Sequence, residues 1–208
     1  ECAPVSRLAN NCSGKHAGFL TAALHRGEPI DNYTDPDHPL QRRIGSIISA
    51  MSDFPVGDMP VACDNCGAPV FGLPLHSLAL ATARLGPAAP DAGIKTADRA
   101  WVVNAMRTHP RMVAGHGRAD TILMKDRSFR GISKVGAEGV FIACVPDQGI
   151  GIAVKVEDGA DRAAHVLGIA VLGKLGVLDP AAVRHLQDRI APQVMGPNGK
   201  PIWRTRTL

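Results

Sequence analysis

The chain has 208 residues, of which 45% are hydrophobic and 20% are charged, and its net charge is +4. This is the balance of a globular protein, so the disordered, collagen-like and coiled-coil classes are excluded. Aromatic residues make up only 4% of the chain and are not interleaved with basic ones, so we expect no nucleic-acid partner. The longest uncharged run, residues 65–83, is broken by prolines and polar side chains, and we therefore expect no membrane partner.

The first half of the chain predicts four helices, at residues 14–26, 37–51, 74–86 and 96–109. Ser13 is the expected N-cap of the first helix, and Gly27 is its expected C-terminal stop. The second helix carries an apolar stripe at helical spacing, formed by Ile44, Ile47, Ile48 and Met51. Because glycine and proline recur throughout the chain, we expect its elements to be short.

After Arg118 the pattern changes to three predicted strands, at residues 121–124, 139–144 and 150–154, followed by helices at 161–175 and 180–190. The turn residues 146–149 predict that the last two strands form an antiparallel hairpin. The predicted fold class is therefore α+β, with an antiparallel sheet covered by helices. We expect one catalytic domain over residues 1–208. About 1–118 would be mainly helical, and about 119–208 would hold the sheet and the closing helices.

Two cysteine-containing clusters are candidates for metal binding. In the first, residues 10–16, Cys12 would lie at the positive end of a helix with Lys15 in the first turn, and both effects lower the pKa of a thiol. The second, residues 63–67, has the spacing Cys63-Asp-Asn-Cys66. A CxxC pair with a separate cysteine and a nearby histidine suits zinc, whereas inert buried thiols are the ordinary alternative.

Two further segments carry polar groups beside glycines. Lys134 is followed by Gly136 at the edge of a predicted strand, a pattern that resembles the Lys-Thr-Gly element of serine acyl-transferring enzymes. There the lysine supplies positive charge, and small residues let backbone N–H groups approach a substrate carbonyl. An exposed lysine before a strand is the alternative. The bend at residues 115–120 either lines a cleft or forms a surface turn.

Four motifs occur in the order seen in the rhizobial-type, or class 3, L-asparaginases, and with them the chain resembles that family. The motifs span residues 11–18, 63–67, 112–118 and 134–139. The resemblance implies hydrolysis of L-asparagine to L-aspartate and ammonia. It also implies a fold similar to the serine β-lactamases and glutaminases, and a homodimer, which we expect in the cytoplasm.

The resemblance also implies a zinc cofactor. Cys12, Lys15 and Cys66 would be its ligands, completed by water, with His16 and Asp64 around them. Cys63 would not be a ligand. Lys15 would bind as the neutral amine, because an ammonium has no lone pair, and the metal would organise the site and help to hold the substrate.

The same resemblance implies that Lys134 is a catalytic lysine paired with an active-site serine, and that Lys15, Gly136 and Ala137 contact the substrate. The sequence departs from the family in one respect, since no serine is followed by lysine three residues later. The nucleophilic Ser-x-x-Lys motif should precede the other elements. We therefore expect the chain, which does not begin with methionine, to be N-terminally incomplete. The alternatives are a glutaminase-like amidohydrolase, and a non-catalytic zinc-binding module or degenerate family member.

Overall fold

The computed structural model describes residues 6–90, 92–190 and 196–200, which contain eight α-helices and five short strands. The helices are α1 Ser13–His25, α2 Pro39–Ser52, α3 Leu75–Ala83, α4 Thr96–Thr108, α5 Pro110–Ala114, α6 Ala119–Lys125, α7 Asp161–Lys174 and α8 Pro180–Ile190. The strands are β1 Val61–Cys63, β2 Pro69–Phe71, β3 Ile132–Gly136, β4 Val140–Val145 and β5 Ile150–Lys155. Helices combined with antiparallel strands confirm the predicted α+β class. No helix in these ranges is long and apolar enough to cross a membrane.

The chain divides into two compact units. The first unit contains Glu1–Ala50 and Phe54–Leu73, and the second contains Met51–Asp53 and Pro74–Leu208. The first unit therefore holds α1, most of α2 and the β1–β2 hairpin, and the second holds the larger sheet and α3 to α8. A single catalytic domain that changes from helices to sheet near residue 118 stays a prediction.

Both predicted helices of the first unit are present, with differences at their N-terminal ends. Cys12, not Ser13, is the N-cap residue of α1, and its side chain makes no capping hydrogen bond. The α2 helix begins at Pro39, two residues later than predicted. There the Nδ1 atom of buried His38 accepts a hydrogen bond from the Leu40 N–H at 3.1 Å. This contact satisfies one of the backbone donors that the first turn of a helix leaves free.

The predicted apolar stripe of α2 is only partly buried. Met51 is buried, whereas the Ile47 side chain is 43% exposed. At Gly45, on another face of the helix, an added Cβ would lie 3.2 Å from Val56 and 3.3 Å from Phe71. The face of α2 that carries Gly45 therefore packs closely against Val56 and Phe71 of the same unit. The spacing of the apolar residues alone does not predict this contact.

The residues around the CxxC sequence form a β-hairpin that the sequence does not predict. In the antiparallel β1–β2 pair, Val61 lies opposite Phe71 and Cys63 lies opposite Pro69. Each strand has only three residues, and β2 opens with a proline, which a strand tolerates at its first position. Such short strands leave almost no alternating pattern in the sequence, so the segment has the appearance of a loop between prolines.

The second unit contains a three-stranded antiparallel sheet in the order β3–β4–β5. The predicted hairpin between the last two strands is confirmed, with Val145 opposite Ile150. One turn of 3₁₀ helix, Pro146–Gln148, connects them and ends at Gly149 in the left-handed conformation. Helices α7 and α8 follow at the predicted positions.

The predicted strand at residues 121–124 is wrong, because this segment lies in α6. Thr121, Leu123 and Met124 are all buried there. The Thr121 Oγ1 atom lies 2.6 Å from the Gly115 carbonyl oxygen and 3.1 Å from that of Pro110, which ties α6 to α5. A short apolar run fits a strand or a buried helical turn equally well, and tertiary packing decides between them. The third strand is instead β3, further along the chain.

The apolar core of the second unit lies between the sheet and helices α6 and α7, and α8 packs on these two helices. Its most deeply buried large side chains are Leu123, Phe141, Ile169, Leu172, Leu178 and Leu186. Gly168 permits a close contact in this core, because a Cβ at this position of α7 would overlap the ring of Phe141 in β4. Each fully buried side chain of this size contributes about 1.5–3 kcal/mol relative to exposure, so the core is the main stabilising feature of the unit.

A bidentate ion pair joins Asp53 and Arg84 within the second unit. Arg84 Nη1 donates to Asp53 Oδ1 at 2.7 Å and Nη2 donates to Oδ2 at 2.8 Å. The hydrogen bonding from Arg84 lowers the pKa of Asp53, and desolvation opposes this effect. Stability from a carboxyl group with a lowered pKa is complete above the unfolded-state value of about 3.9, and it is lost as the pH falls through the folded-state value.

We therefore expect Asp53→Asn to lower the thermal unfolding midpoint at neutral pH, with the difference from the native protein shrinking below about pH 4. Asparagine suits this test because residue 53 has φ 51°, a region that asparagine and aspartate both tolerate. Circular dichroism across this pH range measures the midpoints, with the exposed Asp188→Asn as the matched control. A difference that stays constant with pH would contradict the assignment.

Candidate functional site

The start of α1 brings two of the predicted site residues together. The N-cap residue Cys12 is held by its own backbone, since its N–H donates to Asn10 Oδ1 at 2.8 Å and its carbonyl accepts from the His16 N–H at 3.0 Å. Lys15 lies three residues after Cys12, in the first turn of the helix. The side chains of both residues therefore start from one end of α1.

The turn of the β1–β2 hairpin brings two further site residues, Asp64 and Cys66. The Asp64 N–H donates to the Ala68 carbonyl at 2.9 Å, and the Gly67 N–H donates to the Asp64 carbonyl at 2.8 Å. Gly67 has φ +85°, a conformation that residues with a Cβ rarely adopt. The glycine after Cys66 thus allows the tight reversal that brings Cys66 and Asp64 to the same side.

These two elements of the first unit place four side chains that could bind a metal close together. The ligand atoms of Cys12, Asp64 and Cys66 all lie within 4.8 Å of one another. Lys15 Nζ lies 3.4 Å from Cys66 Sγ and 3.9 Å from Asp64 Oδ2, and Cys66 Sγ lies 3.6 Å from the same carboxylate oxygen. The 51 residues that separate Lys15 from Cys66 make this proximity a product of the tertiary fold.

The donor set fits zinc. Zinc–sulfur bonds of about 2.3 Å and zinc–nitrogen or zinc–oxygen bonds of about 2.0–2.2 Å place the donors of a tetrahedral site roughly 3.3–3.8 Å apart. The Lys15–Cys66 and Cys66–Asp64 separations already lie in this range. The ion pair between Lys15 and Asp64 does little to hold the group together, because both side chains are about two-fifths exposed, at 40% and 42%.

The pKa of the Cys12 thiol is raised, which corrects the expectation that the helix end and Lys15 would lower it. Desolvation is the largest cause, and hydrogen bonding with Cys66 adds to it, while the charge of Lys15 acts in the opposite direction. Thiolate is the form that binds a metal, so ligation at Cys12 would release a proton. Close packing of two thiols and a carboxylate outweighs the single nearby cation.

His16, Cys63 and Cys144 lie in other surroundings. His16 Nδ1 hydrogen-bonds the Tyr33 hydroxyl at 2.7 Å, and its ring contacts Tyr33 and Phe19 edge to face, while its Nε2 atom is buried without a partner in the described residues. Tyr33, on which this contact depends, was not singled out from the sequence. The thiol of Cys63 is exposed and donates to the Asp64 carbonyl. Cys144 is buried in β4, and burial raises the pKa of its thiol to about 11, so it is inert.

The predicted catalytic and substrate-binding residues of the second unit lie on β3 and in the turn that follows it. Lys134 is an exposed residue in the middle of β3, opposite Ile142, and its Nζ donates to the Val135 carbonyl at 2.5 Å. Gly136 ends β3, and Ala137 follows it in the turn to β4. Lys134 therefore lies two residues before Gly136 and three residues before Ala137.

The family model for L-asparaginase II matches residues 3–207 of the chain. The chain belongs to the L-asparaginase II family. This confirms the asparaginase assignment that four short motifs predict. It also shows that the resemblance continues beyond the last of them, through α7 and α8. No curated protein matches the chain. Membership of the L-asparaginase II family supports an L-asparaginase-like function, and at the level of the family an amidohydrolase activity.

Proposed function

We propose that the protein hydrolyses L-asparagine to L-aspartate and ammonia by serine acyl transfer, with a zinc ion bound by Cys12, Lys15 and Cys66. The observation that carries the proposal is the match of the L-asparaginase II family over residues 3–207. In the reaction, a serine attacks the side-chain amide carbon of asparagine and ammonia leaves. Water then hydrolyses the aspartyl ester and frees the serine.

Lys134 is proposed to act on protons and charge in this reaction. As the free amine, its Nζ accepts the proton of the attacking serine, and as the ammonium it stabilises the negative charge that develops on the substrate. Its exposed position on β3 supports this role, because its amino group is free of the buried core. The neighbouring small residues, Gly136 and Ala137, leave room for the substrate beside the backbone of the strand.

Cys12, Lys15 and Cys66 are proposed to hold the zinc ion, with water completing its coordination and with Asp64 beside it. When bound, zinc supplies a fixed positive charge and a cross-link. Through these ligands the ion would connect the start of α1 to the turn of the β1–β2 hairpin. The short distances among the side-chain donor atoms support this arrangement. His16, bonded to Tyr33, is proposed to stabilise this end of α1. The family resemblance further supports a homodimer, and the odd number of cysteines, five, supports a reducing compartment such as the cytoplasm.

Ammonia release by the full-length protein from L-asparagine and from L-glutamine, at matched concentrations, tests the substrate. We expect turnover of L-asparagine to exceed that of L-glutamine, because a site that hydrogen-bonds the polar ends of one amide excludes a longer one. Faster ammonia release from L-glutamine would favour the hypothesis of a glutaminase-like amidohydrolase. Bound zinc with no ammonia release from either amide would favour a non-catalytic zinc-binding module.

A further inference from the structure

One buried carboxylate of the second unit lies outside the residues assigned above. Asp120, the second residue of α6, has 0% of its surface exposed. Its carboxylate accepts hydrogen bonds from two residues of β3: Ser133 Oγ donates to Oδ1 at 2.8 Å, and the Val135 N–H donates to Oδ2 at 2.9 Å. Lys134 is the residue between these two donors. Asp120 therefore holds the strand on both sides of the lysine.

Burial of Asp120 is costly, and both of these donors are uncharged. Removing a carboxylate from water is unfavourable unless hydrogen bonds or a cation compensate, so such a group contributes little net stability. What it supplies here is register. Because β3 is an edge strand of the three-stranded sheet, the Val135 N–H that faces Asp120 lies outside the ladder with β4. The hydrogen bonds to β4 hold β3 from one side only. Asp120 holds the strand from the other side, through the Val135 N–H.

Val135 connects Asp120 to the amino group of Lys134. Its N–H donates to Asp120, and its carbonyl oxygen accepts the hydrogen bond from Lys134 Nζ. The N–H and C=O of one strand residue point to the same side of the strand, so both contacts are made at the outer edge of β3. A shift of Val135 would therefore move the Lys134 amino group with it.

We propose that Asp120 is a positioning residue that acts through Val135 to set the place of the Lys134 amino group. The inference rests on the proposed role of Lys134 in acyl transfer. It assigns a function to the end of the Gly-rich bend at residues 115–120, which carries none in the reaction as described. Misplacement of a reacting group by about 1 Å is enough to lower turnover by two orders of magnitude.

A double-mutant cycle on the full-length protein, with L-asparagine as substrate, tests this inference. We expect Asp120→Ala to lower kcat by about 10- to 100-fold and to change KM by less than about twofold. Asp120→Asn should keep kcat within about twofold, since its amide oxygen accepts from Val135 while its NH₂ donates to Ser133 Oγ. In the Lys134→Ala background, Asp120→Ala should cause no further loss. Asp126→Asn, at the other end of α6, is the matched control.

Three results would overturn the inference: an equal loss from Asp120→Ala in both backgrounds, an effect confined to KM, or a large loss in Asp120→Asn. Native turnover in Lys134→Ala would instead overturn the proposed role of the lysine itself. Should Asp120→Ala not fold, Asp120→Asn and Ser133→Ala decide the matter, because both keep the bond to Val135. A kcat within about twofold of native in both supports the inference, and a tenfold loss in either contradicts it.

Discussion

Replacing Lys134 with alanine is expected to lower kcat for L-asparagine by about 10²- to 10⁴-fold, the range that a general acid–base residue contributes. The loss should appear equally in kcat and kcat/KM, because the proposed contacts of the amino group strengthen in the transition state. Folding should be unaffected, since Lys134 is exposed on β3. Steady-state ammonia release and the thermal unfolding midpoint measure the two properties.

Lys134→Arg separates the two functions proposed for this lysine. Arginine keeps the positive charge but is not deprotonated in proteins, so it can stabilise negative charge without accepting a proton. We expect Lys134→Arg to be nearly as impaired as Lys134→Ala. Lys174→Ala, at an exposed lysine of α7 in the same unit, is the matched control and should turn over like the native protein. Unchanged turnover in Lys134→Ala would refute the catalytic assignment.

Cys12→Ser and Cys66→Ser are each expected to remove zinc from the protein. The native protein should contain about one zinc per chain, and loss of a ligand should weaken binding by more than the 10- to 100-fold typical of residues that only contact ligands. Asp64→Asn should fall within that smaller range, because Asp64 is proposed to lie beside the ion. Metal analysis by mass spectrometry, combined with titration of a competing chelator, measures stoichiometry and affinity.

The sequence contains a matched control for this experiment in Cys63. It lies three residues before Cys66, at the end of β1 and thus in the same hairpin, but its thiol is exposed and donates to a backbone carbonyl. Cys63→Ser should therefore keep the zinc at native affinity. Full zinc occupancy in Cys12→Ser, or zinc loss in Cys63→Ser equal to that in Cys66→Ser, would show that the ligands are assigned wrongly.

The helices that the sequence predicts well are those with strong local signals. The α1 and α8 helices are bounded by Gly27 and Pro180, and α7 is a long apolar segment that ends before Gly176. The β4–β5 hairpin is predicted because two short apolar runs flank a turn that contains Pro146 and Gly149. Such signals act within a few residues, so they can be recognised in the sequence without knowledge of tertiary contacts.

The elements that the sequence does not predict depend on contacts far along the chain. Residues 121–124 form a helix because their apolar side chains are buried beside β3, and the β1–β2 hairpin consists of strands too short to show alternation. The raised pKa of the Cys12 thiol has the same origin. Desolvation is its largest cause, and hydrogen bonding with a cysteine 54 residues later in the chain adds to it, whereas the charge of the nearby Lys15 acts in the opposite direction.

The sequence by itself determined the α+β class, the family and the identity of the candidate site residues, because short motifs preserve residue types and spacing. Only the tertiary structure decided that Cys12, Lys15, Asp64 and Cys66 lie close together, since two separate elements must fold against each other to bring them into proximity. Only the tertiary structure placed Asp120 against β3, where its carboxylate accepts two hydrogen bonds from the strand. Local sequence records which chemical groups are present, and their distances are set by packing.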